Sequence, residues 1–275
     1  TSFDADGITI ARGDASGTES AFFNTNGATV VGWNWKANGG TTTSFSEVGS
    51  NPAGTHQANT TAGFSIVTYT GTGSSGTVSH GLGAVPAMYL VKNRDVNTHN
   101  WLMWHQDLAT NGFIALNLSQ QAYYDSARFT SNNPTSSVFY VGTDASTNAD
   151  GENFVAYVFA EVEGYSKFGS YTGSGDTDGT FVYTGFRPAW VMIKRTNGTG
   201  QWFIMDNKRD GYNGVNYRLL ADASNTEYTG SSSNIIDILS NGFKCKVVSN
   251  NHNGTGLPYI YMAFAEQPFK FSNAR

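Results

Sequence analysis

An internal repeat is the feature of this sequence that most constrains its fold. Residues 64–73 recur as residues 168–175, and Pro188 follows Pro86 at an offset of 102 positions. Later phrases of the chain return at nearly the same spacing. A constant offset predicts that one fold is used twice, and each copy has the size of an ordinary domain.

Composition favours strands over helices in both copies. Charged residues make up 13% of the chain and glycines number 32, so the residues that build surface helices are scarce. Residues 64–69 alternate in polarity, which is typical of a strand with one buried face. Residues 88–91 and 190–193 are apolar throughout, which indicates strands covered on both faces. We therefore predict an all-β fold of tandem β-sandwich units of jelly-roll or lectin-like type.

Three segments are predicted along the chain. Residues 1–60 combine the end of an upstream β unit with a linker, because residues 28–37 resemble the closing strand of a repeat and residues 38–62 are rich in Gly, Thr, Ser and Asn. Residues 61–164 form the first complete repeat, and residues 165–275 form the second. The chain is thus expected to be a fragment that begins inside a third unit.

Charge and hydropathy argue against several classes of partner. The net charge of -5 provides no basic surface for nucleic acid. No apolar run is long enough for a membrane span. The single cysteine, Cys245, lies in an alternating strand pattern, so we expect it to pack in a core rather than to react.

Two carboxylates at a strand end are the strongest catalytic candidates. Glu161 and Glu163 are two positions apart and would share a face, as the paired acids of a glycoside hydrolase require. The second repeat has a counterpart for Glu161 in Glu266, but Gln267 follows it, so the second acid is missing there. A structural carboxylate that caps backbone donors is the more common alternative.

Metal binding receives little support from the sequence. Residues 176–179 and 144–152 hold carboxylates typical of calcium loops, but neither loop has the ligand number of a dedicated site, and Ser74 lies near the place of Asp176 in the first repeat. His99 and His105 would share a strand face, yet the repeat offers no second copy of this pair. We predict no cofactor, with Ca²⁺ as the alternative.

Aromatic and amide side chains make a glycan site the best binding candidate. Aromatic residues make up 14% of the chain, and several stand in loops beside Asn and Asp. Flat rings stack on sugar C–H faces, and amides and carboxylates bind hydroxyls, although most such rings pack in cores. The predicted glycan-binding residues are Trp104, His105, Tyr123, Tyr124, Asp125, Asp206, Asn207, Arg209 and Tyr212.

Several long phrases resemble one known family. Residues 63–73, 80–83, 160–173 and 261–275 are similar to phrases in large structural proteins of tailed bacteriophages, especially marine ones, where they form the C-terminal part. The resemblance covers essentially the entire chain. In that family a concanavalin A-like, laminin-G-type domain often precedes these units, and no catalytic residues are established for it.

The resemblance implies a virion surface protein, namely a tail fibre, a tailspike or a head fibre. It also implies a homo-oligomer, trimeric by analogy, with other virion proteins and host-surface polysaccharide as partners. We therefore predict a non-enzymatic fibre module that binds host-surface glycan. The alternatives are a polysaccharide depolymerase that uses Glu161 and Glu163, and a bacterial extracellular adhesin. The sequence leaves the receptor, the oligomeric state and the virion organelle open.

Overall fold

The described residues of the computed structural model are 2–4, 7–9, 27, 29–210, 213–230 and 236–267, of which 2–4 and 7–9 are described by their backbone alone. Contacts divide the chain into two units, Thr1–Trp35 and Lys36–Arg275. In the first unit, β1 (Ser2–Asp4) pairs antiparallel with β2 (Gly7–Thr9). The second unit contains both copies of the repeat, and the boundaries predicted between the copies stay a prediction.

Short strands make up most of the regular structure of the second unit. The first repeat and the segment before it contain β3 (Thr43–Phe45), β4 (Gly54–Asn59), β5 (Phe64–Thr70), β6 (Gly76–Ser79), β7 (Pro86–Asn93), β8 (Leu102–His105), β9 (Gly112–Ala115), β10 (Tyr123–Tyr124), β11 (Val138–Val141), α1 (Ala145–Asn148) and β12 (Asn153–Ala160). The second repeat contains β13 (Ser166–Thr172), β14 (Phe181–Tyr183), β15 (Pro188–Arg195), β16 (Phe203–Asp206), β17 (Leu219–Leu220), β18 (Ile236–Leu239), β19 (Gly242–Cys245) and β20 (Pro258–Ala265).

Each repeat consists of one large and one small antiparallel sheet. The large sheets have the orders β10-β9-β8-β7-β12-β5-β4-β3 and β13-β20-β15-β16-β17, and the small sheets have the orders β11-β6 and β14-β19-β18. Strand order β9-β8-β7-β12-β5 in the first large sheet therefore equals β17-β16-β15-β20-β13 in the second. This confirms the predicted all-β, sandwich-like fold.

Strand register is also shared by the two copies. In the first large sheet Phe159 lies opposite Met88, and a bulge then brings Ala160 opposite Pro86. In the second, Phe264 lies opposite Trp190, and a bulge at the same place brings Ala265 opposite Pro188. The repeated phrases around the two prolines thus encode one bulged strand pair twice.

A separate apolar core fills each repeat. The first core combines β5, β7 and β12 of the large sheet with β6 and β11 of the small sheet through Val67, Tyr89, Phe154, Val78 and Phe139. The second core combines β15 and β20 of the large sheet with β14, β18 and β19 of the small sheet through Val191, Tyr261, Val182, Ile238 and Phe243. These residues occupy alternate positions of their strands, as one buried face per strand requires.

The faces of the two large sheets that point away from their own cores pack against each other. The ring of Phe159 lies 5.9 Å from that of Phe168 and 6.1 Å from that of Phe264. Between the repeats, His105 Nε2 donates to Tyr261 O at 3.3 Å. This packing explains why Met88–Val91 is buried at every position, as the unbroken apolar run predicted.

The segment predicted as linker, residues 38–62, contains two strands instead. β4 pairs with β5 along its whole length, from Gly54 opposite Tyr69 to Asn59 opposite Phe64, and β3 pairs with β4. All six residues of β4 are half-buried. Because neither face of β4 is fully buried, the strand needs no alternation of apolar and polar residues. Its Thr, Gln and Asn side chains therefore resemble those of a loop.

A buried asparagine in each repeat explains the phrase Tyr-Thr-Gly-x-Gly at positions 69–73 and 171–175. Asn148 Oδ1 accepts from Thr72 N at 3.0 Å, and Asn253 Oδ1 accepts from Ser174 N at 3.0 Å. Both asparagines are fully buried. The glycine that follows the Thr approaches the same loop so closely that a Cβ at Gly71 would lie 2.1 Å from a backbone oxygen. The repeated phrase therefore builds a loop clasp rather than a ligand site.

Candidate functional site

Trp104 and His105, two of the predicted glycan-binding residues, are buried in the structure. The indole of Trp104 stacks on Tyr89 at 5.1 Å in the first core, and its Nε1 donates to Thr110 O at 2.9 Å. His105 lies between the two large sheets. Their assignment to a glycan surface is corrected, because neither ring presents a face to solvent.

The three predicted residues at 206–209 form an ionic turn. Asp206 is buried, and its Oδ1 accepts from Lys208 N and Arg209 N at 3.0 and 3.1 Å. Arg209 donates to Asp206 Oδ2 at 2.6 Å and also pairs with Glu227. Asn207 N donates to Ala189 O at 3.0 Å. These contacts give the residues a structural role, and Tyr212 lies outside the described residues.

The remaining predicted residues, Tyr123, Tyr124 and Asp125, lie at the edge of the first large sheet. Tyr123 is 43% exposed and Tyr124 is 60% exposed. They are neighbours on β10, so their side chains point to opposite faces. Asp125 Oδ1 accepts from Ala127 N at 2.9 Å and thereby fixes the turn that follows.

A cleft of about 210 Å³ opens beside Tyr123 and is the candidate functional site. It is smaller than the roughly 300–1,000 Å³ pockets that take drug-sized ligands, so its size suits a single ring. Apolar side chains form part of its wall, and polar groups form the remainder. The lining residues are Asn100, Leu102, Phe113, Ala115, Leu118, Gln120, Tyr123, Arg128 and Ser146.

Two aromatic rings and one guanidinium define the geometry of this cleft. The ring of Phe113 is buried, and that of Tyr123 stacks on it at 5.9 Å with an interplanar angle of 29°. The Arg128 guanidinium carbon lies 4.6 Å from the Phe113 ring centroid, a cation–π contact. Phe113 therefore orients both the exposed ring and the charged group of the site.

Arg128 retains hydrogen-bonding capacity in this position. Among the described residues, its Nε has no hydrogen-bond partner. Asp144 Oδ2 is 3.6 Å from that nitrogen, beyond normal hydrogen-bond range. Burial by itself would raise the pKa of Asp144, but hydrogen bonds from Ser146 and the charge of Arg128 outweigh it and lower the pKa. The Nε atom itself is buried, but the Arg128 side chain as a whole is 33% exposed, so its terminal N–H groups are the donors that face a ligand, while a carboxylate balances the charge.

The second repeat braces one wall of the cleft. Ala115 O accepts from Trp202 Nε1 at 2.9 Å. Ser119 O accepts from Gly200 N at 2.9 Å and from Lys194 Nζ at 3.2 Å. The segment that carries Ala115, Leu118 and Gln120 is therefore held by main-chain contacts to the neighbouring repeat.

The equivalent place in the second repeat is filled by an arginine. Arg218 pairs with Tyr228 there, as Phe113 pairs with Tyr123 in the first repeat. The Arg218 guanidinium carbon lies 5.2 Å from the Phe203 ring centroid and 4.3 Å from that of Tyr228, and the side chain is buried. The two repeats share a fold but not this site.

The candidate catalytic carboxylates make structural contacts. Glu161 forms an ion pair with Lys167 and accepts from Phe168 N at 3.5 Å. Glu163 is exposed in the turn that follows β12. The contacts of Glu161 are those of a carboxylate that caps backbone donors at a strand end.

The loops considered for calcium are occupied by other contacts. Asp176 Oδ1 accepts from Asp178 N at 3.0 Å, and Asp178 pairs with Lys244 at 2.6 Å. Glu152 binds the side-chain amide of Asn93. Within the described residues, no group of three or more His, Cys, Asp or Glu side chains is arranged to hold a metal ion.

Helices contribute little to the described chain. α1 has four residues, and no described helix has the length and apolarity that crossing a membrane requires.

Of the residues that define the cleft, sequence reasoning found Tyr123 but missed Phe113 and Arg128. Arg128 stands in a stretch without periodicity, and its position over Phe113 depends on the fold. Phe113 was not singled out, although its counterpart Arg218 differs in chemistry and marks a difference between the repeats. An exposed aromatic pair on β14, Phe181 and Tyr183, was also missed. The signal for it was a difference from Thr77 and Ser79 on β6.

Comparison with known proteins gives one match. Residues 1–268 match the model of a family described as a domain of unknown function, DUF7483. No curated protein and no solved structure matches the chain.

Proposed function

The chain belongs to the DUF7483 family, and we propose that it is a non-catalytic module of a tailed-phage fibre that binds host-surface glycan in the cleft beside Tyr123. The observation that carries this proposal is the cleft itself, where an exposed tyrosine ring meets the partly exposed guanidinium of Arg128 and the amide of Gln120. Resemblance to phage structural proteins supports the virion surface as its location, with other virion proteins and further copies of the chain as partners.

Sugar recognition fits the chemistry of this cleft. The Tyr123 ring offers a flat apolar face for the C–H side of a pyranose. Arg128 and Gln120 offer N–H donors, and Asn100 and Ser146 offer mixed donors and acceptors for hydroxyls. Because Arg128 can bind a carboxylate with two parallel hydrogen bonds, a glycan with a uronic or other acidic sugar is the ligand class that fits best.

Removal of the exposed tyrosine or of the half-buried arginine should abolish most glycan binding. Tyr123→Ala removes the stacking face, and Arg128→Ala removes a charged donor whose hydrogen bond is worth about 1.5–3 kcal/mol, or roughly ten- to hundredfold in affinity. Each variant is expected to weaken binding at least about tenfold on an array of bacterial surface polysaccharides and in calorimetry with the strongest binder. Arg128→Lys should recover only part of the affinity, because lysine lacks the planar fork.

Tyr124→Ala is the matched control. Tyr124 is the neighbouring tyrosine on the same strand and is more exposed, but it faces away from the cleft. Equal losses for Tyr124→Ala and Tyr123→Ala would contradict the assignment of the cleft, and no binding to any surface polysaccharide would leave only a structural role. Release of reducing ends from a polysaccharide would favour a depolymerase. Detection of the chain on cells rather than in purified virions would favour an adhesin.

A further inference from the structure

The faces of the two large sheets that point away from the cores carry a lysine and a tryptophan at equivalent positions, but these residues differ in what covers them. In the second repeat, Trp202 is 2% exposed and Lys194 is 0% exposed. Their counterparts in the first repeat, Trp101 and Lys92, are both partly exposed. We call the part of this face formed by Ile66, Lys92, Trp101 and Tyr157 the Trp101 face; these four residues are all partly exposed.

One segment of the first repeat covers the face of the second. Residues 115–122, here called the covering segment, accept from Trp202 Nε1 through Ala115 O at 2.9 Å. They accept from Lys194 Nζ through Ser119 O at 3.2 Å, and Ala122 N donates to Thr196 O at 2.9 Å. The contacts are made by main-chain groups, so any segment of the same backbone shape can make them.

The Trp101 face has the same lysine and tryptophan but lacks these partners. Lys194 Nζ uses its three donors on Ser119 O, Arg195 O and Gly200 O. Lys92 Nζ bonds only to Val96 O and His99 O among the described residues, at 3.3 and 2.8 Å, so one donor of the ammonium remains. The indole of Trp101 stacks on Tyr157 at 6.2 Å, and its Nε1 has no hydrogen-bond partner among the described residues.

A second covering segment exists in the second repeat. Leu116 N donates to Trp101 O at 2.9 Å, and Ala221 N donates to Trp202 O at 3.3 Å. Asn117 Oδ1 accepts from Trp101 N at 3.0 Å. Asp222 Oδ1 accepts from Trp202 N at the same distance, 3.0 Å.

These matched hydrogen bonds align residues 220–227 with the covering segment. Residues 224–227 are exposed, and the intervening 221–223 are half-buried. In the described part of the chain, the Trp101 face is therefore not covered by a segment, and residues 220–227 do not cover a face.

We propose that the Trp101 face of one chain binds residues 220–227 of a second copy of the chain, as Trp202 binds residues 115–122 within the chain. Leu220 O would accept from Trp101 Nε1, and Ser224 O would accept from Lys92 Nζ. The two partner surfaces differ, so the contact is heterologous and joins copies head to tail, closing into a ring or continuing as a filament. This inference does not depend on the glycan cleft.

Self-association of the full chain tests the proposal. Sedimentation velocity over a range of concentrations should show oligomers of the wild type that dissociate on dilution. Trp101→Ala on the face and Ser224→Arg in the segment should each raise the dissociation constant at least about tenfold, because a buried tryptophan is a frequent hot spot and a bulky side chain blocks close approach. Unfolding midpoints close to that of the wild type would show that both variants fold.

A mixture of the two variants gives the sharpest result. Each variant retains one intact half of the contact, so Trp101→Ala mixed with Ser224→Arg should form dimers and nothing larger. Tyr183→Ala, which alters an exposed ring on the small sheet of the second repeat, should leave association unchanged. A wild type that stays monomeric at all concentrations, or a mixture that stays monomeric when the wild type associates, would overturn the proposal. Glycan binding by a monomer that Trp101→Ala abolishes would assign this face to sugar instead.

Discussion

Asn253→Ala is expected to lower the free energy of unfolding by about 3 kcal/mol, because it leaves several backbone groups without partners at once. Asn253 Oδ1 accepts from Ser174 N at 3.0 Å, and Nδ2 donates to Asp176 O at 2.8 Å and to Val247 O at 3.1 Å. Each buried donor or acceptor that loses its partner costs about 1–3 kcal/mol. Denaturant unfolding followed by tryptophan fluorescence measures the change.

Asn148→Ala should give a loss of similar size in the first repeat. Asn148 Nδ2 donates to Gly142 O at 2.9 Å and to Ser74 O at 2.6 Å, and its Oδ1 accepts from Thr72 N at 3.0 Å. Asn132→Ala is the matched control, since Asn132 is exposed and should change stability by less than about 0.5 kcal/mol. A loss below about 1 kcal/mol for either buried asparagine would show that the clasp is not a major source of stability.

The sequence predicted the fold well because the repeat and the apolar runs are local signals. The offset between Pro86 and Pro188 is shared by the other repeated residues and predicted one fold used twice. The strand register around both prolines is the same. The unbroken apolar stretch at 88–91 predicted burial on both faces, which packing between the repeats explains. The identity of the covering element was not predictable, because main-chain groups such as Ala115 O make the contact without a residue signature.

The predicted glycan residues show where sequence reasoning failed. Trp104 is two positions after Leu102, so the two side chains lie on the same face of β8, which is the core face. Its counterpart in the second repeat, Met205, is also in a core. The polar residues that follow Trp104 suggested a loop and an exposed ring. The spacing from Leu102 indicates a buried ring instead, and the ring is buried. Tyr123 was recognised as a surface aromatic, but Arg128 comes from an irregular segment. Only the folded chain brings its guanidinium over Phe113.

Buried asparagines escaped notice for a related reason. Asn148 ends α1, whereas Asn253 lies in the irregular segment before β20. Their offset is the same as that between Phe159 and Phe264, but the residues beside them differ, so neither asparagine stands out in the sequence. Their roles are nonetheless the same. Each asparagine accepts from the backbone amide between the two glycines of the repeated phrase, and each donates to the carbonyl of the residue after the second glycine, Ser74 or Asp176. A polar residue that is fully buried in both repeats marks a common requirement of the backbone, whereas the cleft marks a difference between the copies.

Acidification from pH 7 to pH 4 is expected to destabilise the fold by several kcal/mol, because two buried histidines are neutral in it. Burial lowers the pKa of His105 to about 4, although Asp107 and the hydrogen bond to Tyr261 O oppose this shift. Burial and the nearby charge of Arg218 lower the pKa of His252 to about 4 as well. Among the described residues, neither ring nitrogen of His252 has a hydrogen-bond partner.

The sign follows from proton binding in the two states. An unfolded histidine takes up a proton near pH 6.5, whereas these two take it up in the folded state only near pH 4, so the unfolded state binds more protons between these values. Stability is therefore unaffected by these groups above about pH 6.5, falls as the pH is lowered through this window, and levels off below about pH 4. A difference of roughly 2.5 pKa units corresponds to about 3 kcal/mol for each histidine. Asp222, whose pKa burial raises, contributes in the opposite sense.

Replacing His252 by the residue at the equivalent place of the first repeat tests this assignment. Tyr171 OH donates to His252 O as Tyr69 OH donates to Thr147 O, so His252→Thr places a neutral side chain that the fold already accepts. The free energy of unfolding, measured by denaturant titration at half-unit steps from pH 7.5 to pH 4, should fall less steeply for His252→Thr than for the wild type, by about 3 kcal/mol over the window. A pH dependence identical to that of the wild type would show that His252 does not carry the acid sensitivity.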